Sequence, residues 1–153
     1  MPQLEENNNL ILLVEDSADD RDLALTALQA SEVEHEVVVC EDGEAALDYL
    51  FGTGRYAGRD VRRRPRVILL DIKLPGVNGL EVLKRLRSDR RTSLLPVVIL
   101  TSSREERDLL DSYRHGANSY ICKPTDFFEF LDTSSQMLRY WLGINEVPSA
   151  PPA

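Results

Sequence analysis

Acidic side chains stand directly after two short apolar runs of the chain. Asp71 follows RVILL at 66–70, and the pair Glu15–Asp16 follows LILLV at 10–14. A carboxylate at the tip of a buried strand is costly to desolvate unless a cation compensates it. If the two runs form neighbouring strands, the carboxylates converge, and oxygen donors without Cys or His favour Mg²⁺ over zinc.

Two further polar groups follow later apolar runs. Thr101 comes after PVVIL, and Lys123, with Pro124 behind it, comes after NSYIC. Taken singly these are ordinary residues, because Thr and Ser often cap helices and Asp often occupies turns. Their occurrence at the ends of different strands predicts one shared site, in which Lys123 compensates Asp71.

The elements that must position these side chains alternate between strand and helix patterns. The predicted strands lie at 10–14, 36–40, 66–70, 96–100 and 118–122. The predicted helices lie at 19–30 and 43–51, from Gly79 onward, at 104–115 (with Leu109, Leu110 and Tyr113) and at 126–142. This alternation predicts an α/β fold with a parallel sheet covered on both faces. In such sheets, ligands bind in the crevice beyond the carboxyl ends of the strands, and the functional residues lie there.

Composition limits the classes of function. The 153 residues are 42% hydrophobic, which predicts one domain with a proper core. The net charge of −8 argues against a nucleic-acid binder. We expect no membrane span, because no stretch reaches ~18 apolar residues. The acidic, polar N-terminus lacks a signal peptide's features, so Cys40 and Cys122 are expected to be reduced thiols in a cytoplasmic protein.

Four segments together resemble the receiver domain of bacterial two-component response regulators: VED, LLDIKLPGVNG, ILTSS and YICKP. The resemblance covers about residues 9–142, with a polar tail at 1–8 and a Pro-rich tail at 143–153. The last part of that tail, VPSAPPA, is expected to have nothing to pack against. It implies a flavodoxin-like, doubly wound sheet of five parallel strands in the order 2-1-3-4-5, with five helices.

The resemblance also implies a role for each site residue. Asp71 is the phosphoacceptor, Thr101 and Lys123 contact the phosphoryl group, and Tyr120 is the switch aromatic. Mg²⁺ is the implied cofactor, and its implied ligands are Glu15, Asp16, the Asp71 side chain and the backbone carbonyl of Lys73. The Lys123–Pro124 peptide is expected to be cis.

As a response regulator, the chain is expected to be a phosphoacceptor that assists its own phosphorylation and dephosphorylation, and not an enzyme. A separate sensor histidine kinase is the implied donor, and the face made by the fourth helix, fifth strand and fifth helix is the implied output. The Arg-rich insertion and the aromatic C-terminus are similar to stand-alone regulators paired with bacterial phytochromes. Neither a nucleic acid nor a membrane is an expected partner.

Other interpretations stay open at this point. An Asp-nucleophile, Mg²⁺-dependent phosphohydrolase would need a second Asp two places after Asp71, where Lys73 stands. A pseudo-receiver that only binds partners would not need the acidic set with Thr101 and Lys123. The arginines between residues 55 and 66 belong either to a solvated loop or to a docking site for an acidic partner.

The last predicted helix has a broad apolar face, which predicts a homodimer. The residues expected to cover the sheet are Phe127, Leu131, Leu138 and Leu142. The residues expected at the dimer interface are Phe128, Phe130, Met137 and Trp141. A thicker core beneath this helix is the alternative.

Cys40 and Cys122 are expected not to form a disulfide. With the strand order 2-1-3-4-5 they lie in opposite edge strands, on the order of 19 Å apart. A disulfide requires Cα atoms within ~7 Å.

Overall fold

Five parallel strands form the centre of the fold, which the computed structural model describes for residues 8–148. The strands are β1 (Leu10–Val14), β2 (Glu36–Cys40), β3 (Val67–Leu70), β4 (Val97–Thr101) and β5 (Ser119–Cys122). Their order in the sheet is β2-β1-β3-β4-β5, which confirms the predicted topology. The two cysteines are unbonded and lie in the two edge strands, as expected.

The helices connect successive strands and cover both faces of the sheet. They are α1 (Ala18–Ala30), α2 (Gly43–Phe51), α3 (Gly79–Ser88), α4 (Glu106–Arg114) and α5 (Phe127–Leu138), with a 3₁₀ turn at Gly54–Tyr56 and a π-helical turn at Arg139–Ile144. Within the described part of the chain, every helix is too short or too polar to cross a bilayer.

Alternate residues of each strand fill two apolar layers. Leu12 and Val14 of β1 pack in one layer with side chains of α2 and α3. Ile11 and Leu13 pack in the other layer with side chains of α1 and α5. The strands read as continuous apolar runs because both of their faces are buried.

The start of α3 passes very close to the end of β3. An added Cβ at Gly79 would lie 2.1 Å from the carbonyl oxygen of Asp71, so only glycine fits there. The Asn78 side chain caps the helix by accepting a hydrogen bond from the Glu81 backbone N–H. These two residues hold the loop after β3 close against the sheet.

Helix α4 buries polar residues. Its buried side chains are Asp108 and Ser112, whereas Leu110 and Tyr113 are 45% and 53% exposed. Of the three apolar residues of this helix, Leu109 is half-buried, and Leu110 and Tyr113 lie at the surface. The hydroxyl of Ser112 donates a hydrogen bond to the Asp108 carbonyl at 2.7 Å, which satisfies that buried polar group.

Helix α5 and the turn after it bury most of the stripe predicted to cover the sheet, because Leu138 and Leu142 are buried and Leu131 is half-buried. Phe130, Met137 and Leu138 are buried, and the small Ser134 lies between them, whereas Phe127 is 44% exposed. The prediction that Phe130 and Met137 belong to a dimer interface is therefore wrong, because both belong to the core layer shared with α1. The buried face of α5 therefore extends from Leu138 toward Phe130 and Met137, and Ser134 lies within it.

Two arginines of the Arg-rich segment contact the chain itself. The guanidinium of Arg59 lies 3.9 Å above the Tyr49 ring and donates a hydrogen bond to the Tyr49 carbonyl. Arg63 forms an ion pair with Glu36 on β2. The segment is therefore attached to the rest of the chain at these two residues, although the Arg63 side chain is 55% exposed.

Two further arginines hold the chain that follows α5. Arg66 donates hydrogen bonds to the carbonyls of Trp141 and Asn145 at 3.1 and 2.8 Å. Arg64 donates to the carbonyl of Pro148 at 3.2 Å. The prediction that VPSAPPA has nothing to pack against is therefore contradicted at Pro148, which Arg64 contacts. The predicted tails otherwise fall at 1–7 and 149–153, outside the described residues.

Candidate functional site

Asp71 follows β3 directly and lies within a network of hydrogen bonds. Its backbone N–H donates to the Val14 carbonyl at 3.2 Å, which continues the pairing of β3 with β1. The residue is buried, with 7% of its surface exposed. Oδ1 accepts from the Thr101 hydroxyl at 3.0 Å and the Lys73 backbone N–H at 3.1 Å, and Oδ2 accepts from Lys123 Nζ at 3.1 Å.

Lys123 is shared by three carboxylates. Besides Asp71, its Nζ lies 2.6 Å from Glu15 Oε2 and 3.5 Å from Asp20 Oδ2. Burial raises the pKa of Glu15 to about 7; the hydrogen bond from Lys123 opposes this rise and the charge of Asp71 adds to it. Burial alone would lower the pKa of Lys123, but its hydrogen bond to Glu15 and the charge of Asp71 raise it. The ammonium therefore stays charged at neutral pH.

This acidic cluster fits a divalent cation. The described residues contain no group of three acidic, His or Cys side chains arranged as a ready metal cage. Mg²⁺ does not require one, because it usually takes one or two carboxylates and keeps several waters. Glu15, Asp16, Asp71 and the Lys73 carbonyl supply oxygen donors only, and one ammonium does not neutralise the carboxylates around it. The donor set matches the chemistry of Mg²⁺.

An open cleft of about 490 Å³ lies over Asp71. Asp16, Lys73, Thr101 and Arg104 are among the residues that line it. A larger cleft of about 630 Å³ lies beside Arg66, next to the residues that precede the strands, and holds none of the predicted site residues. The fold thus gathers the predicted chemistry at the carboxyl ends of the strands.

Tyr120 reaches the site through the loop that follows β4. Its hydroxyl donates a hydrogen bond to the Ser103 carbonyl at 3.0 Å. The Ser103 backbone N–H donates to the Thr101 hydroxyl at 3.3 Å, and that hydroxyl donates to Asp71. A continuous chain of hydrogen bonds therefore joins the central carboxylate to the half-buried tyrosine.

Three residues at the site were missed from the sequence. Asp20 stands one helical turn after Asp16 in the first turn of α1, and that spacing could have indicated it. Nothing in the sequence singles out Ser103 or Asp108. The Asp108 carboxylate accepts a hydrogen bond from Ser103 Oγ at 2.5 Å and lies 3.6 Å from Lys73 Nζ.

One predicted backbone feature is absent. No cis peptide bond occurs among residues 8–148, so the expected cis Lys123–Pro124 bond is wrong. The trans form of a bond before proline is favoured by about 0.5–1 kcal/mol unless other contacts override it. The Lys123 backbone N–H donates to the Thr101 carbonyl at 2.8 Å, which extends the β4–β5 pairing up to the site.

Comparison with known proteins gives consistent matches. The family model described as the response regulator receiver domain matches residues 11–134. The probable methanogenesis regulatory protein FilR2 of Methanothrix harundinacea is 38% identical over 143 residues, 94% of this chain and 90% of that protein. Response regulator Rcp1 of Synechocystis is 35% identical over 141 residues, 92% of this chain and 94% of that protein.

Solved structures agree with these matches. The phosphorylated cyanobacterial phytochrome response regulator RcpA is 38% identical, with a TM-score of 0.84 over 92% of this chain and 98% of that chain. The Mn²⁺-bound form of Rcp1 is 34% identical, with a TM-score of 0.82 over 92% and 99%. With the sheet order, the gathered carboxylates and the matched residues 11–134, the chain belongs to the response regulator receiver domain family.

Proposed function

We propose that the chain is a single-domain response regulator that accepts a phosphoryl group on Asp71 from a sensor histidine kinase in a Mg²⁺-dependent reaction. The observation that carries this proposal is the Asp71 carboxylate held between the Thr101 hydroxyl and the Lys123 ammonium at 3.0 and 3.1 Å. Asp71 and Thr101 line the open cleft. A relative, RcpA, has been solved as a phosphorylated protein.

The carboxylate of Asp71 is the nucleophile. It needs no base at neutral pH, and a new bond forms between a carboxylate oxygen and phosphorus as the phosphorus–nitrogen bond of the donor breaks. The bonding electrons return to the imidazole of the kinase. Lys123 balances the negative charge on the phosphoryl oxygens, and the Thr101 hydroxyl is within reach to donate to one of them.

The metal would be held by Glu15, Asp16, Asp71 and the Lys73 carbonyl. When bound, it supplies positive charge against the phosphoryl oxygens. Glu15 now bonds to Lys123, and its Oε1 accepts the Ser17 backbone N–H at 3.2 Å. The protein's own part is to hold these oxygens together at the end of the sheet before the donor arrives.

Phosphorylation would change the hydrogen bonds that the Asp71 carboxylate accepts. If the Thr101 hydroxyl turns to a phosphoryl oxygen, it gives up Asp71 Oδ1 and presents a different geometry to the Ser103 N–H. The Ser103 carbonyl accepts the hydrogen bond of the Tyr120 hydroxyl. A shift of Ser103 would therefore move Tyr120 and change the face made by α4, β5 and α5. The phosphoryl group adds a charge of roughly −1.5 to −2, and the rearrangement that follows would change the surface that binds partners.

The test is phosphorylation by acetyl phosphate with Mg²⁺, followed by intact mass. We expect the parent to gain one phosphoryl group, EDTA to prevent the gain, and Asp71→Asn to stay unmodified while keeping its fold, because an amide keeps the shape and cannot attack phosphorus. Asp20→Asn is the matched control, since it removes a carboxylate that is not proposed as nucleophile or ligand.

Two results would contradict the proposal. An undiminished phosphoryl gain in Asp71→Asn would move the acceptor elsewhere. A sustained, Mg²⁺-dependent turnover of p-nitrophenyl phosphate would favour the phosphohydrolase. That enzyme would need an acid at position 73, where the Lys73 ammonium pairs with Asp108.

The proposed donor is a bacteriophytochrome-type histidine kinase. This follows from the likeness to RcpA, which is a phytochrome response regulator, and to the bacteriophytochrome response regulator RtBRR at 46% identity. Phosphotransfer from a panel of purified kinases of the same organism is the direct measurement. A faster transfer from a kinase of another class would overturn the pairing.

The protein is also proposed to form a homodimer through the exposed part of α5 and the turn after it. Phe128 is 76% exposed beside Phe127, and the half-buried Trp141 lies against Tyr140. Exposed aromatic surface of this kind marks interfaces. Light scattering at tens of micromolar should give a dimer for the parent and a monomer for Phe128→Glu with Trp141→Glu; a monomeric parent, phosphorylated or not, would refute it.

A further inference from the structure

Asp108 is a nearly buried carboxylate that the proposed phosphotransfer does not use. It lies in the first turn of α4 with 9% exposure. Ser103 Oγ donates a hydrogen bond to it at 2.5 Å, and Lys73 Nζ lies 3.6 Å away. Ser103 belongs to the loop after β4 and Lys73 to the loop after β3. One carboxylate therefore joins the two loops that flank the cleft.

Ser103 is the residue through which this carboxylate reaches the switch. Its backbone N–H donates to the Thr101 hydroxyl, and its carbonyl accepts from the Tyr120 hydroxyl at 3.0 Å and from Cys122 Sγ at 3.4 Å. The side chain of Ser103 is thus held from α4 while its backbone contacts both β4 and β5. Any displacement of Ser103 displaces the acceptor of Tyr120.

We propose that Asp108 is a positioning residue that holds Ser103, and through it Tyr120, and so sets how readily the loop after β4 rearranges. The part of this inference that concerns phosphorylation rests on the proposed function. The placement of Tyr120 does not, because the contacts of Asp108 and Ser103 are present in the unphosphorylated protein.

The two bonds of Asp108 are not equivalent. The ion pair with Lys73 involves an ammonium whose side chain is 66% exposed, and such pairs contribute little. The bond from Ser103 is charge-assisted and only 12% of the Asp108 side chain is exposed, so it is the stronger of the two. Losing it should change the ratio between the bound and released positions of Tyr120 by about tenfold.

The test is ¹⁹F NMR of unphosphorylated protein labelled with 3-fluorotyrosine, with the Tyr120 signal assigned by its loss in Tyr120→Phe. We expect Asp108→Ala to shift and broaden the Tyr120 signal and to leave the other four tyrosines in place. Asp111→Ala is the matched control on the same helix, because its carboxylate pairs with Arg107 at 3.8 Å and does not contact Ser103.

Further variants distinguish an effect that Asp108 exerts on Tyr120 through Ser103 from a general loosening of α4. Ser103→Ala should shift Tyr120 as Asp108→Ala does, and the double variant should match either single one. Asp108→Asn keeps an acceptor for Ser103 Oγ and should restore the parent signal. Urea unfolding of each variant identifies any that fails to fold. If Asp108→Ala does not fold, the two single variants Ser103→Ala and Asp108→Asn still test the inference.

Two outcomes would overturn the inference: a Tyr120 signal unchanged in folded Asp108→Ala or in Ser103→Ala, or shifts that simply add in the double variant. Acetyl phosphate treatment forms a separate arm, in which Asp108→Ala should change the phosphoryl half-life by about tenfold. A parent that takes up no phosphoryl group would refute the proposed function and leave the NMR result to stand for the placement of Tyr120. An unchanged half-life in a phosphorylated Asp108→Ala would refute the inference alone.

Discussion

Helices α3 and α4 are of similar length but are attached to the fold by different forces. The buried face of α3 carries Val82, Leu83 and Leu86, each with 0% exposure. The buried face of α4 carries Asp108 and Ser112, and no large apolar residue of α4 is buried. Apolar packing holds the first helix, whereas hydrogen bonds hold the second.

The difference indicates which part of the molecule can move. Each fully buried aliphatic side chain contributes about 1.5–3 kcal/mol, and that contribution is lost only when the side chain leaves the core. A hydrogen bond contributes about 0.5–1.5 kcal/mol net and can be exchanged for another one. Helix α3, which follows the Asp71 loop, is therefore a fixed support. Helix α4 can shift between arrangements of its hydrogen bonds, as a switch requires.

The largest expected effect is on the fixed support. Leu83→Ala should lower the free energy of unfolding by about 2–5 kcal/mol, because it leaves a cavity in the apolar layer of α2 and α3. Urea unfolding followed by circular dichroism measures this change. A loss below about 1 kcal/mol would mean that α3 is no better anchored than α4.

Much of this arrangement follows from the sequence. The apolar runs predicted a parallel α/β sheet, and the polar residues after them predicted the meeting of Asp71, Thr101 and Lys123, which follows because each lies at a strand end fixed by backbone pairing. The strand order was implied only by the resemblance to receiver domains. Side chains that attach by long-range contacts could not be predicted. Asp108 is an ordinary acidic residue in the sequence, and only the approach of the loop after β4 gives it a partner.

The orientation of amphipathic helices was the second limit. In α5 Phe130 and Met137 are buried together with the polar Ser134, whereas Phe127 is 44% exposed, so the hydrophobic pattern alone did not fix which residues face the core. In α4 the buried residues are the polar Asp108 and Ser112. The Arg-rich segment shows the same limit. Arg66 bonds to carbonyls 75 and 79 residues further along the chain, and no local pattern reveals acceptors at that distance.

An effect of intermediate size is expected on the rates at which the two cysteine thiols react. Cys40 lies in the same apolar layer as α3, and burial raises its pKa to about 11. At pH 8 roughly one Cys40 thiol in a thousand is therefore ionised, and the thiolate is the reactive form. Cys122 is half-buried on β5, beside the loop that α4 holds. We expect iodoacetamide to modify Cys122 at least about tenfold faster, as measured by peptide mass.

The same reaction in concentrated urea is the control, since both thiols should then react alike. Raising the pH toward 11 in folded protein should increase the rate at Cys40 because its thiolate fraction grows. Equal rates at pH 8 in the folded state would show that the layer beneath α3 opens as readily as the surroundings of β5, against the comparison drawn between the two helices.

The smallest expected effect is on the surface of α4. Leu110→Ala makes the same chemical change as Leu83→Ala, but Leu110 is 45% exposed and alanine is a good helix former. The free energy of unfolding should therefore change by less than about 0.5 kcal/mol. Because the pair of variants differs only in position, the difference between them measures how much apolar anchoring α3 has and α4 lacks. If Leu110→Ala cost as much as Leu83→Ala, α4 would be fixed by packing, and hydrogen bonds such as those of Asp108 could not be what allows it to move.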